Sequence, residues 1–256
     1  MKAKIVLCGL LAAISLSVSC TDSKIADFNS KEDGPFVPSE EAQTMAIWLS
    51  GELEAPMDMA REIDRDLSHM RANFSEQVPD LLTIHFVFTC PLYCVGLDCK
   101  PETTKAILNG IYHEWAELND YFGVTNISTY FADRNVIYLN YTKIANPYLV
   151  ADEYERLDGV IRGKTALRIG DWSNIYPWYV NDEISYLLRY GFMDCAVDCT
   201  INHFWYFKKT DGVIALVGDY DPEIDSIPAW WEEIEPAYCM YIYNNDGKCW
   251  PRDYPN

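Results

Sequence analysis

The stretch from residue 81 to 169 constrains the fold more than any other, because it spells six elements in an order that few topologies accommodate. LLTIHFVF (81–88) alternates like a strand, with Leu82, Ile84, Phe86 and Phe88 on one side. Thr103 then caps a helix in which Ile107, Ile111, Trp115, Leu118 and Phe122 recur at spacings of three and four, and Gly123 ends it. NISTYFA (126–132) and NVIYLNYT (135–142) read as two strands joined across Asp133-Arg134. Asn146-Pro147 opens a second helix, with an acceptor at the cap and proline in the first turn, and Gly159 closes it. VIRGKTALRI (160–169) is the last strand. Right-handed crossovers in a β-α-β-β-α-β order put both helices on one face of an antiparallel sheet.

The expected fold class is therefore α+β, a ferredoxin-like βαββαβ sandwich preceded by two helices and followed by a disulfide-bearing, β-rich extension. One face of such a sheet lacks helices. If Ile161, Thr165, Leu167 and Ile169 face the helices, then Arg162, Lys164 and Arg168 point the other way. Thr83, His85 and Val87 of the first strand would share that side. This is a basic patch on a chain of net charge −19 and pI about 4.4. It either receives an acidic partner or is covered by the C-terminal region, whose many carboxylates would pair with it.

The flanks are legible in outline. Ser39 caps a helix over 40–50 with Ala42, Met45, Ala46 and Leu49 on one side, and Gly51 ends it. A second helix starts at Pro56 and carries Ala60, Ile63, Leu67, Met70 and Phe74 as a core stripe. From Ser173 onward short strands and turns predominate. FWYFKK and VIALVG flank Thr210-Asp211-Gly212, a hairpin signal. CMYIYNNDGKCW is a second hairpin candidate. The expected organisation is a signal peptide (1–19), a tether (20–38) and one globular domain (39–256), with the sandwich at 81–169 and the extension at 170–256.

The tether assignment follows from TDSKIADFNSKEDGPFVP, which is polar and has no period. Before it, Lys2 and Lys4 precede an apolar run from Ile5 to Leu16 and the small residues Ser17-Val18-Ser19. That run is too short to be a stable spanning helix of about 20 residues. A cleaved leader ending just before a cysteine resembles a bacterial lipoprotein signal. The resemblance implies lipidation of Cys20, a membrane contact through that lipid, and residence in the cell envelope, at the outer membrane. Ser17 stands where the usual pattern has leucine, a looseness that resembles lipoproteins of the Bacteroidetes. Without lipidation the protein would be secreted.

Seven cysteines lie in the body: Cys90, Cys94, Cys99, Cys195, Cys199, Cys239 and Cys249. In an oxidising compartment these are disulfide candidates. Their spacings of three and four intervening residues depart from zinc ligand patterns, so no metal site is expected. The acidic balance excludes nucleic acid as a partner, because phosphate binding needs a basic field. With 49% hydrophobic residues the chain is not disordered and can bury a sizeable core.

No catalytic motif is evident: there is no G-x-S-x-G elbow, H-E-x-x-H, phosphate loop or dinucleotide turn. No cofactor and no catalytic residue is expected. His113-Glu114 reads as a solvated pair, and His203 has no companion by spacing. Asp219, Asp221, Glu223 and Asp225 would align if the segment were extended, as a solvated row rather than a calcium loop. Trp230 and Trp231 could stack on sugars, or bury one ring and leave one at a rim.

In its core, NPYLVADEYERL followed by GVIRGKTAL resembles the ferredoxin-like propeptide and inhibitor domains of subtilisin-like proteases. The whole chain, through LSGELEAP and GFMDCAVDC, resembles uncharacterised secreted bacterial proteins, which implies no activity. In the inhibitors the segment after the last strand occupies the protease cleft; here a long extension follows instead. The expected function is a non-catalytic, lipid-anchored binding module for a protein partner such as a protease. A glycan-binding lipoprotein is the alternative, and a carboxylate-based hydrolase the third reading. The binding candidates are His85, Arg162, Lys164, Arg168, Trp230 and Trp231.

Overall fold

The structure, a computed structural model, describes residues 36–129, 134–166, 172–192 and 201–243. From Val37 onward these belong to one compact unit. It is mixed α and β, with six helices and two four-stranded antiparallel sheets among the described residues. No described helix is long and apolar enough to cross a membrane. Cys20, the signal peptide and nearly all of the tether lie outside the described residues.

The first two helices form as their caps dictate. In α1 (Glu40–Ser50) the Ser39 hydroxyl accepts the Ala42 N–H, and Gly51 leaves the helix at φ 67°. α2 (Met57–Phe74) buries Ala60, Ile63, Leu67 and Met70. Segment 81–88, expected as the first strand of the sandwich, is not one. A 3-10 turn (Pro79–Leu82) precedes an extended run that joins neither sheet. Ile84, Phe86 and Phe88 still point inward, and side chains replace a strand neighbour. Phe86 N–H donates to Glu41, while the Asn174 amide accepts from Val87 N–H at 2.7 Å and donates to Val87 C=O at 3.0 Å. Buried polar backbone must be satisfied, and here it is satisfied without a sheet.

The first strand of the first sheet is instead β1 (Cys94–Cys99). The helical segment after it is broken. α3 (Pro101–Leu108) stops near Gly110, whose φ of 68° leaves the helix, and α4 (Ala116–Phe122) restarts and is capped by Gly123. Ile111, assigned to the core stripe by spacing, is consequently exposed. β2 (Val124–Ser128), β3 (Val136–Tyr141), α5 (Pro147–Glu155) and β4 (Val160–Thr165) follow in the expected order, with β2 starting two residues early and ending at Ser128 and β4 ending at Thr165, short of the expected 132 and 169. Asn146 caps α5 by accepting the Tyr148 N–H. The strand order is β2-β3-β1-β4, with every pairing antiparallel. Val95, Leu97, Ile137 and Leu139 meet Trp115, Phe122, Val150 and Tyr154 in one core. Gly163 lets α5 lie on β4: a Cβ there would stand 2.2 Å from the Ala151 carbonyl oxygen.

The second sheet is a meander, β5 (Asn174–Val180), β6 (Glu183–Phe192), β7 (Ile201–Thr210) and β8 (Val213–Tyr220). Asp211 and Gly212 both take positive φ in the β7–β8 turn, as the Asp-Gly signal requires. Asn181 and Asp182 do the same between β5 and β6. The helices α1 and α2 pack on this sheet, in the core that also holds the 84–90 run. The far side is closed by α6 (Trp231–Tyr243). Residues 239–243 of the expected second hairpin are thus helical, and the C-terminal region is not all β. The helix starts upstream of that segment, where Trp231, Ile234 and Tyr238 join the core, Trp231 and Tyr238 packing on Phe204 of β7 and Tyr238 on Tyr176 of β5, and its last turn runs through 239–243.

Candidate functional site

The helix-free face of the first sheet carries two of the expected residues. Gly163 faces α5, so the pleat turns Arg162 and Lys164 away from the helices. Arg162 pairs across to Asp98 and Lys164 to Gly96, which lies next to Tyr138 on β3. The missing side chain of Gly96 accommodates the Lys164 stem and the Tyr138 ring edge, at 3.3 and 3.4 Å from where a Cβ would be. Lys164 Nζ reaches Asp98 Oδ1 at 2.6 Å, a half-exposed ion pair. Arg162 is exposed. Arg168 lies outside the described residues.

His85 is not on that face. Because 81–88 runs beside α1 and α2, His85 Nδ1 sits 3.2 Å from Glu41 Oε2 and 3.1 Å from the Arg71 guanidinium. Burial pushes the Glu41 carboxyl up, but Arg71, the Phe86 N–H and His85 together hold it below its usual range. This cluster staples the extended run, since Arg71 also donates to the Leu81 and Ile84 carbonyls.

The two tryptophans divide as one buried and one at a rim. Trp231 packs edge-on to Phe204 at 4.8 Å, and Trp230 leans on Tyr206 at 5.5 Å. Their planes cross at 65°, so they form no flat shared platform. Gly218 admits the Trp230 indole, whose Nε1 is 3.0 Å from its Cβ position.

Two clusters escaped sequence reasoning. The first lines a cavity of about 470 Å³ between α2 and the β7–β8 hairpin, with Glu62, Arg65, Asp66, His69 and Lys209 in its wall. Lys209 Nζ contacts Glu62 at 2.7 Å and Asp66 at 3.0 Å, and the Tyr186 hydroxyl donates to Asp66. Burial raises the Asp66 carboxyl against the opposing pull of Lys209 and Tyr186. Lys209 is raised because its two carboxylates outweigh its own burial.

The second is His203, which has companions after all. Its ring stacks on Trp205 at 4.2 Å; Nε2 lies 3.2 Å from Asp219 and Nδ1 3.9 Å from Asp221. The acidic row does not align, because residues 221–225 turn. Asp221 accepts the Glu223 N–H while its own N–H donates to Asp225. Counting back from the Asp211-Gly212 turn puts Gly218 opposite Trp205. A bulge at Val217 shifts the register so that Asp219 stands there instead.

Cys94 and Cys99 carry free thiols. They sit at opposite ends of β1, about 16 Å apart at strand rise, far beyond disulfide reach. Burial pushes both up, Cys99 to about 12 with help from Asp98, so neither is a ready thiolate. Cys90 is buried in the core beside α1 and α2. Cys195, Cys199 and Cys249 lie outside the described residues, as does the side chain of Cys239. Among the described residues no group of three or more His, Cys, Asp or Glu side chains is arranged to hold a metal ion. The chain matches no family model, no curated protein and no solved structure.

Proposed function

We propose that the protein is a lipid-anchored binding module of a bacterial envelope, that residues 94–165 form a ferredoxin-like sandwich, and that its helix-free sheet face receives an acidic segment of a partner protein. The β-α-β-β-α-β order with strands β2-β3-β1-β4, all antiparallel, supports the sandwich. The observation that carries the docking reading is the exposed Arg162 beside the Lys164–Asp98 ion pair, one net positive charge on a sheet surface of a chain with net charge −19. Charge complementarity of this kind sets specificity and orientation more than raw affinity. A protease is one such partner. Docking would be through the face rather than through a tail, because the chain after β4 re-enters the fold at β5 within nine residues.

The test is site-directed cross-linking from position 162 in envelopes, with mass spectrometry of the cross-linked peptide and of the mature N-terminus. The expected result is a cross-link to an Asp/Glu-rich segment that is lost when Lys164→Glu is added, and a diacylglyceryl mass on Cys20. Cross-links to random abundant proteins would sink the docking surface. An unmodified Cys20 amino terminus would sink the anchor.

A further inference from the structure

On the second sheet, the face covered by α1 and α2 ends in a different surface. Tyr190 of β6 stands opposite His203 of β7, and Leu188 opposite Trp205, so these four share one face. Leu188 is buried in the core, Trp205 is partly buried, the His203 side chain is 27% exposed and Tyr190 is 37% exposed. Beyond the helices the sheet therefore turns from apolar core to a half-open aromatic floor. Asp219, with 62% of its side chain exposed, and Asp221, at 20%, border it.

We propose that this surface, His203 stacked on Trp205 with Asp219 and Asp221 at its edge, binds a neutral oligosaccharide chain. A hexopyranose presents C–H groups on its faces and hydroxyls around its rim. It needs an apolar ring surface with acceptors set at the margin, the combination that amphipathic aromatics and nearby carboxylates provide. The carboxylates are held for the task. The Val217 bulge brings Asp219 opposite Trp205, and the Asp221 turn is tied by Asp225 and by the Glu223 N–H. The ligand is neutral because those two carboxylates and a net charge of −19 repel uronic or sulfated chains. The floor is a sheet surface apart from the half-open cavity at Lys209, so it suits internal residues of a chain.

This surface is separate from Arg162, so the two proposals fail independently. The full-length chain is titrated with cellohexaose, mannohexaose and chitohexaose, and with polygalacturonate as the anionic control, following tryptophan fluorescence and heat. At least one neutral hexasaccharide is expected to bind. Its affinity falls by about tenfold or more, roughly 1.4 kcal/mol, in Asp219→Ala and in His203→Ala, while Arg162→Glu binds as the parent does. Both altered side chains are partly exposed, and circular dichroism checks that the variants fold. The proposal is overturned if none of the three neutral probes binds at about 10 mM. Binding untouched by both variants, or tighter binding of polygalacturonate, overturns it too.

Discussion

Lys209 is an almost fully buried cation whose nitrogen is within 3.1 Å of three carboxylate oxygens. Such a pair adds little net stability over apolar packing, yet removing one partner strands the other in a poorly solvating site. Lys209→Met is therefore expected to cost about 3–5 kcal/mol in urea unfolding. Adding Asp66→Asn should recover more than half of that, since the Tyr186 hydroxyl keeps an acceptor and no charge is stranded. An additive double variant would contradict the pairing. Glu41 makes a pH-dependent prediction. Its carboxyl is held below the ordinary value of 4.5, so its contribution is complete above that pH and is lost as pH falls through the lowered value. The stability gap between the parent and Glu41→Gln should be widest near neutrality and shrink below pH 4.5. A gap that widens with acid would show that Arg71 and His85 do not favour the ionised form.

At the scale of elements, the sequence signals that survived were those with a local cause. Ser39, Asn146 and the Asp211-Gly212 turn act on their nearest backbone, so the helices and the hairpin they mark appear where expected. The strand expected at 81–88 failed for a non-local reason. Alternation reports which side chains are buried, and Ile84, Phe86 and Phe88 are, but it cannot report whether the backbone partner is another strand or the side chains of Glu41 and Asn174. His85 was misassigned with it. The same limit hid His203, because the single extra residue at Val217 decides that Asp219 joins it. Arg162 and Lys164 were legible because the pleat alternates around Gly163; the alternation breaks one residue earlier, where the register against β1 shifts and Ile161, expected to face the helices, is exposed. Asn174→Ala leaves both polar groups of Val87 without their amide and should cost about 2 kcal/mol, with faster hydrogen exchange at Val87 ahead of global unfolding. Gly163→Ala forces α5 away from β4 and should cost about 3 kcal/mol. Parent-like thermal stability in Gly163→Ala would mean that the helix does not lie against that strand.

Across the whole molecule, the two binding surfaces differ in how they respond to the protein's own field. The chain's −19 charge acts on any approaching acidic partner at long range, while Arg162 and Lys164 act only near contact. The screening length is about 30 Å at 0.01 M salt and about 8 Å at 0.15 M, so added salt removes the distant repulsion before it weakens the contact. Association of an acidic partner at the Arg162 face should therefore accelerate, by about threefold or more, between those two salt concentrations. That is opposite in sign to the usual behaviour of complementary pairs, whose encounter slows in salt. A neutral oligosaccharide carries no charge for the field to act on, so its affinity at His203 and Trp205 should stay within about twofold over the same range. Stopped-flow association of the partner and calorimetry of the sugar, both from 0.01 to 0.15 M salt, read the two responses. A partner that binds more slowly as salt is added would mean that its approach is governed by a local attractive patch stronger than the global charge. A sugar affinity that tracks salt would mean that the ligand at the aromatic floor is held by charge and not by its ring faces and hydroxyls.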